Sequence, residues 1–113
     1  MFLMPSRFEP CGLGQLIAMR YGALPIVRHT GGLVDTVPEF NADLSSGSGF
    51  VFIDYTVEAL IAAIRKAVDS FGNKAAWLKA VTRVMQLDFS WGMSAQKYES
   101  IYKQIIEMKP NDR

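Results

Sequence analysis

The sequence predicts an α/β fold, the second half of a doubly wound parallel sheet followed by helices. Two observations carry this. Short apolar runs at residues 1–4, 25–28 and 50–53 alternate with helix-patterned stretches, the mark of βαβ units. Three helix-patterned stretches then follow the last run. Three strands make a thin sheet, and parallel sheets usually carry helices on both faces. The pattern therefore implies part of a larger layered domain.

Each element has a local reason. Residues 1–4 read as a strand that Pro5 stops, and Ser6 to Pro10 as a loop. Residues 12–21 read as a helix; Leu13, Leu16, Ile17 and Met19 cover a broad face, which predicts a buried helix, and Gly22 ends it. Ile26 and Val27 centre the second strand. Gly31 and Gly32 break the chain into a tight loop before a single helical turn at 33–37. Residues 38–48 are polar and loop-like, and the Ser/Gly stretch at 45–49 ends them. Phe50 opens the third strand. Thr56 is a good N-cap, with Glu58 in the first turn. Val57, Leu60, Ile61, Ile64, Val68 and Phe71 then recur at helical spacing as an inward stripe. A further helix spans 74–87 with Trp77, Val81, Val84 and Met85 inward. Ser90 caps the last one, whose stripe is Trp91, Ala95, Tyr98, Tyr102 and Ile105. Residues 109–113 form a polar tail.

Composition removes several function classes. With 113 residues, 50% of them apolar, and a formal net charge of +1, the chain is neither disordered nor a general nucleic-acid binder. The length gives a prior of one domain. Cys11 is the one cysteine and His29 the one histidine, so there is no disulfide framework and no Cys/His metal site. No apolar run reaches the length of a membrane span. The opening Met-Phe-Leu-Met-Pro is too short for a signal peptide. It starts directly on an apolar stretch, which suggests that the natural N-terminus lies elsewhere.

The segment with chemical content is Ser6-Arg-Phe-Glu-Pro-Cys-Gly-Leu-Gly-Gln15, between a strand end and a helix start. Ligands of open α/β sheets bind at that place. The backbone N–H groups of Cys11, Gly12, Leu13 and Gly14 can point at an anion, with Glu9 beside them for sugar hydroxyls. An ordinary strand-to-helix turn with a solvent-facing Glu explains the spacing equally well. A dinucleotide fingerprint fails, because its third glycine would fall at Ile17, and no P-loop Lys follows.

The Ser6–Gln15 run, with Arg20-Tyr-Gly22, Pro25, Thr30-Gly-Gly-Leu-Val-Asp-Thr36 and Asp88-Phe-Ser-Trp91, closely resembles bacterial glycogen synthases and plant starch synthases. The resemblance runs over essentially the whole chain, in order. It implies that residues 1–113 are the C-terminal portion of the second, nucleotide-sugar-binding, Rossmann-like domain of a two-domain glycosyltransferase. It implies retaining transfer of glucose from ADP-glucose (UDP-glucose in some relatives) to the non-reducing end of an α-1,4-glucan, with no metal and no cofactor beyond that donor. Glu9 matches the glutamate that contacts the donor glucose and is needed for activity. Cys11, Gly12, Leu13 and Gly14 match the segment that meets glucose and diphosphate through backbone N–H groups. Many relatives carry Thr at the Gly14 position, so a hydroxyl-to-phosphate bond is missing here. The E-x7-E pattern of other retaining transferases would place a second Glu at Ile17, which is absent. Thr30, Gly31 and Gly32 match a glycine-rich loop near the sugar, with a pure turn as the alternative. His29 reads as a hydrogen-bonded loop residue near the cleft, Arg7 as structural or acceptor-side, and Cys11 as a small packing residue near the sugar. Trp77, Trp91, Tyr98 and Tyr102 read as core or interdomain packing.

The same resemblance implies what lies outside these residues: the first domain, and the Arg and Lys that hold the diphosphate. The chain alone is expected to be inactive. Its partners are ADP-glucose, the glucan and the missing N-terminal domain of the same enzyme, with no nucleic acid and no membrane. The open sheet edge makes self-association possible. The location implied is the cytoplasm, or a plastid in a plant. Two other readings stand beside this one: a different retaining two-domain glycosyltransferase, and a truncated, non-catalytic binding module.

Overall fold

A computed structural model describes residues 1–108, and the polar tail at 109–113 lies outside them. The order is β1 (Phe2–Met4), α1 (Gly14–Arg20), β2 (Pro25–Arg28), α2 (Leu33–Thr36), β3 (Phe50–Phe52), α3 (Val57–Gly72), α4 (Lys74–Met85) and α5 (Trp91–Glu107). The three strands form one parallel sheet in the order β1-β2-β3. Leu3 stands beside Ile26, and Val27 beside Val51. Pro25, Ile26 and Val27 are all buried, so both faces of the middle strand are covered. This is the α/β, Rossmann-like arrangement expected. Among the described helices, none is long and apolar enough to cross a membrane.

The helix starts follow the capping chemistry. Thr56 and Ser90 are extended, and each hydroxyl accepts from the backbone N–H three residues on. Asn73 does the same for α4. Asp88 accepts from the Ser90 N–H at 2.8 Å just before α5, and that bond holds its carboxyl below the usual carboxylate range.

The core lies between the sheet and the helices α1, α3 and α4. Trp77 of α4 stacks on Phe50 of β3 with ring centroids 6.0 Å apart, and Phe71 meets it edge-on at 5.1 Å. Trp77→Ala is therefore expected to cost about 3–5 kcal/mol, read by urea unfolding of the chain. A loss below about 1 kcal/mol would mean that Trp77 is not the keystone of this face.

Four expectations need correction. The helix predicted over 12–21 begins two residues later, because Gly12 holds φ +74, outside helical space. That helix is also only half buried: Met19 is inside, but Leu13 and Ile17 are exposed. In α3 the buried positions are Ala63 and Ala67, with Leu60 and Ile64 partly buried against the core, whereas Val57, Ile61, Val68 and Phe71 are exposed. Small side chains let the α3 axis approach the sheet closely, which turns part of the large apolar set outward. Met85 of α4 is likewise partly exposed, with its sulfur packed beside Gly22 rather than in the core.

The last helix departs furthest from a compact body. No residue of α5 is buried, and its Trp91 is 89% exposed. The molecule is accordingly 64 Å long against 31 and 23 Å in its other dimensions.

Candidate functional site

The loop from β1 to α1 emerges at the C-terminal edge of the sheet, beside the loop that follows β2. Its backbone is held from behind. The Gly32 N–H donates to Glu9 O at 2.9 Å and to Pro10 O at 3.2 Å. The Gln15 Nε2 amide donates to Gly12 O at 2.9 Å, with a longer 3.5 Å contact to Cys11 O. Carbonyl oxygens of residues 9–12 are thus all engaged by the protein. Among the described residues, no acceptor takes the N–H groups of Cys11, Gly12, Leu13 or Gly14. Consecutive unpaired N–H groups form a partial positive charge suited to an anion. No Lys or Arg side chain is needed to create it.

Glu9 sits half-buried at the start of this segment, and its Oε2 accepts from Ser6 Oγ at 3.2 Å. Among the described residues, no other side-chain donor bonds that carboxyl group. Cys11 and Leu13 are exposed, and Gly12 and Gly14 are half-buried. Gly14 packs closely on β1, since a Cβ there would lie 3.4 Å from the Phe2 ring.

The structure brings the second predicted group against the first. Gly31 has φ +51, and a Cβ on it would strike Glu9 O. A Cβ on Gly32 would strike Cys11 O. The two glycines thus carry the 9–11 backbone on their own. Thr30 is half-buried, and its carbonyl accepts from the Leu33 N–H that starts α2. His29 is exposed, and its N–H donates to Phe52 O at 2.8 Å. Arg7 is exposed too, and its carbonyl accepts from the Arg28 guanidinium at 2.6 Å. Among the described residues, no three of His, Cys, Asp and Glu gather as metal ligands.

Two residues at this site escaped the sequence reading. Gln15 is fully buried beneath the loop, and Thr36 Oγ1 accepts from its Nε2 at 3.1 Å. A polar residue on the inward side of an otherwise apolar helix was the available signal. Ser6 is the other, and Ser-x-x-Glu is a spacing at which side chains meet.

No protein-family model matches the chain. It is 53% identical over 108 residues to the glycogen synthase of Geotalea daltonii, covering 96% of this chain and 22% of that protein. It is 50% identical over 114 residues to the glycogen synthase of Desulforudis audaxviator, covering 100% of this chain and 23% of that one. Among solved structures it is similar to the catalytic domain of starch synthase IV from Arabidopsis thaliana bound to ADP and acarbose. There the TM-score is 0.79 at 42% identity, over 92% of this chain and 22% of that one. The chain spans about a fifth of the length of the curated relatives it matches.

Proposed function

Because the chain belongs to the glycogen and starch synthase family of glycosyltransferases, we propose that it forms the donor side of a glucosyl-transfer site in the cytoplasm. The reaction is retaining transfer of glucose from ADP-glucose to the non-reducing end of an α-1,4-glucan. Glu9 orients the donor glucose and stabilises the positive charge that develops at the anomeric carbon. The N–H groups of Cys11, Gly12, Leu13 and Gly14 take up the negative charge that grows on the departing diphosphate. Thr30, Gly31 and Gly32 border the sugar and support the loop. One observation carries the reading: among the described residues, no acceptor takes the N–H groups of the four residues from Cys11 to Gly14, while the carbonyls of residues 9–12 are held by the protein.

The remaining machinery is supplied by other parts of a longer enzyme. Its first domain brings the acceptor groove, and cations outside these residues hold the diphosphate. The exposed α5 stripe of Trp91, Tyr98, Tyr102 and Ile105 docks on that missing part.

A hybrid enzyme tests this. The 113 residues replace the matching stretch of the Geotalea daltonii glycogen synthase. The hybrid is expected to move labelled glucose from ADP-glucose into glycogen at a rate within about tenfold of its parent, a difference of about 1.4 kcal/mol in barrier. A folded hybrid without transfer from either ADP-glucose or UDP-glucose overturns the assignment. The 113-residue chain alone is expected to incorporate no label, and clear incorporation would remove the need for a partner domain.

A further inference from the structure

We propose that Gln15 is a positioning residue for this site, acting with Thr36 and Gly32 through a closed ring of hydrogen bonds. The proposal rests on the reading of Glu9 and the loop N–H groups given above. The ring starts at Gln15 Nε2, which donates to Gly12 O at 2.9 Å and to Thr36 Oγ1 at 3.1 Å. The Thr36 hydroxyl donates to Gly32 O at 2.9 Å. The Gly32 N–H donates back to Glu9 O and Pro10 O, in the loop where the ring began. A shift of α2 therefore pulls on the Glu9 backbone, and a shift of the loop pulls on α2.

The chemistry of the amide explains why Gln stands here. Three oxygen atoms surround Nε2, so only the nitrogen end can face them. The other end, Oε1, is buried without a partner. It lies against Gly12, where a Cβ would sit 2.6 Å away. Burying an unpaired acceptor is unfavourable. A Met of similar length would fill the space without that penalty. The polar group is therefore retained for its N–H donors. In a trans peptide unit the N–H points opposite to the carbonyl, so tying back the carbonyls of Pro10, Cys11 and Gly12 turns the N–H groups of Cys11, Gly12 and Leu13 away from Gln15 and Gly32. Gly12 must also lack a side chain, both for its positive φ and for this contact.

The test uses the hybrid enzyme. Gln15→Met is expected to lower kcat by about 30- to 100-fold, as a misplaced reacting group does. KM for ADP-glucose should stay within about threefold, because the lost alignment matters most where charge develops. Thr36→Val, which keeps the shape and removes the hydroxyl, is expected to lower kcat by about tenfold, and Thr36→Ser to restore it. Combining Gln15→Met with Thr36→Val should do no more harm than Gln15→Met alone, as members of one network behave. A Gln15→Met hybrid with unchanged kcat overturns the proposal and leaves the glucosyl-transfer reading standing. An unmutated hybrid without transfer overturns that reading instead, and the ring is then judged on the 113-residue chain itself. There Gln15→Met is expected to speed hydrogen exchange of the Gly32 N–H at least about tenfold, with Val27 in β2 unaffected. Equal Gly32 exchange in the two chains overturns the ring.

Discussion

Changing Glu9 to Gln in the hybrid enzyme is expected to reduce glucosyl transfer by about a thousandfold, while far-ultraviolet circular dichroism and the melting temperature stay unchanged. The two side chains have the same shape, and an amide oxygen still accepts from the Ser6 hydroxyl. What disappears is the negative charge that the proposed mechanism sets against the anomeric carbon as its bond to the diphosphate lengthens. An effect this large with an intact fold separates a charge role from a packing role. Transfer at the unmutated rate would take Glu9 out of the reaction. Ser6→Ala makes a milder companion, since it frees the carboxyl group without removing it.

The second large effect is expected at Gly31 and Gly32. A Cβ on Gly31 meets Glu9 O, and one on Gly32 meets Cys11 O and its carbonyl carbon. These are backbone atoms, which cannot rotate aside as a side-chain end can. Gly31 also holds φ +51, which a β-carbon strains further. Either Ala variant is expected to cost about 1–3 kcal/mol in urea unfolding, the range of an overpacked site. Transfer by the hybrid should fall at least about a hundredfold, because the loop bearing Glu9 has to move. Gly72→Ala is the control: nothing lies within 4 Å of its Cβ, so it should be neutral or slightly stabilising. Equal stability of the Gly72 and Gly32 variants would show that the loop yields freely.

The order of elements was legible because it is written in local terms. β2 and β3 are short continuous apolar runs, as buried parallel strands must be, and Thr56 and Ser90 cap the helices they precede. The 6–15 segment drew attention by its glycines and its place between strand and helix, but spacing left an ordinary turn equally open, and the functional reading came from the family resemblance. Which side of a helix turns inward was read less well. Counting large apolar residues favours Val57, Ile61 and Val68 in α3, but Ala63 and Ala67 face the sheet. The ring through Gln15 was not legible at all. It joins residues 21 positions apart, and no local pattern encodes that closure.

The protruding α5 has a consequence for the life of the protein. A helix that buries no residue rests on its own propensities, whereas most helical stability in proteins comes from packing an amphipathic face. On the proposed docking, the surface that receives Trp91 and the two tyrosines adds the packing that this helix lacks. Proteases act on chain that unwinds, and cleavage within residues 91–107 should therefore be fast for the solitary chain and slow once the arm is seated.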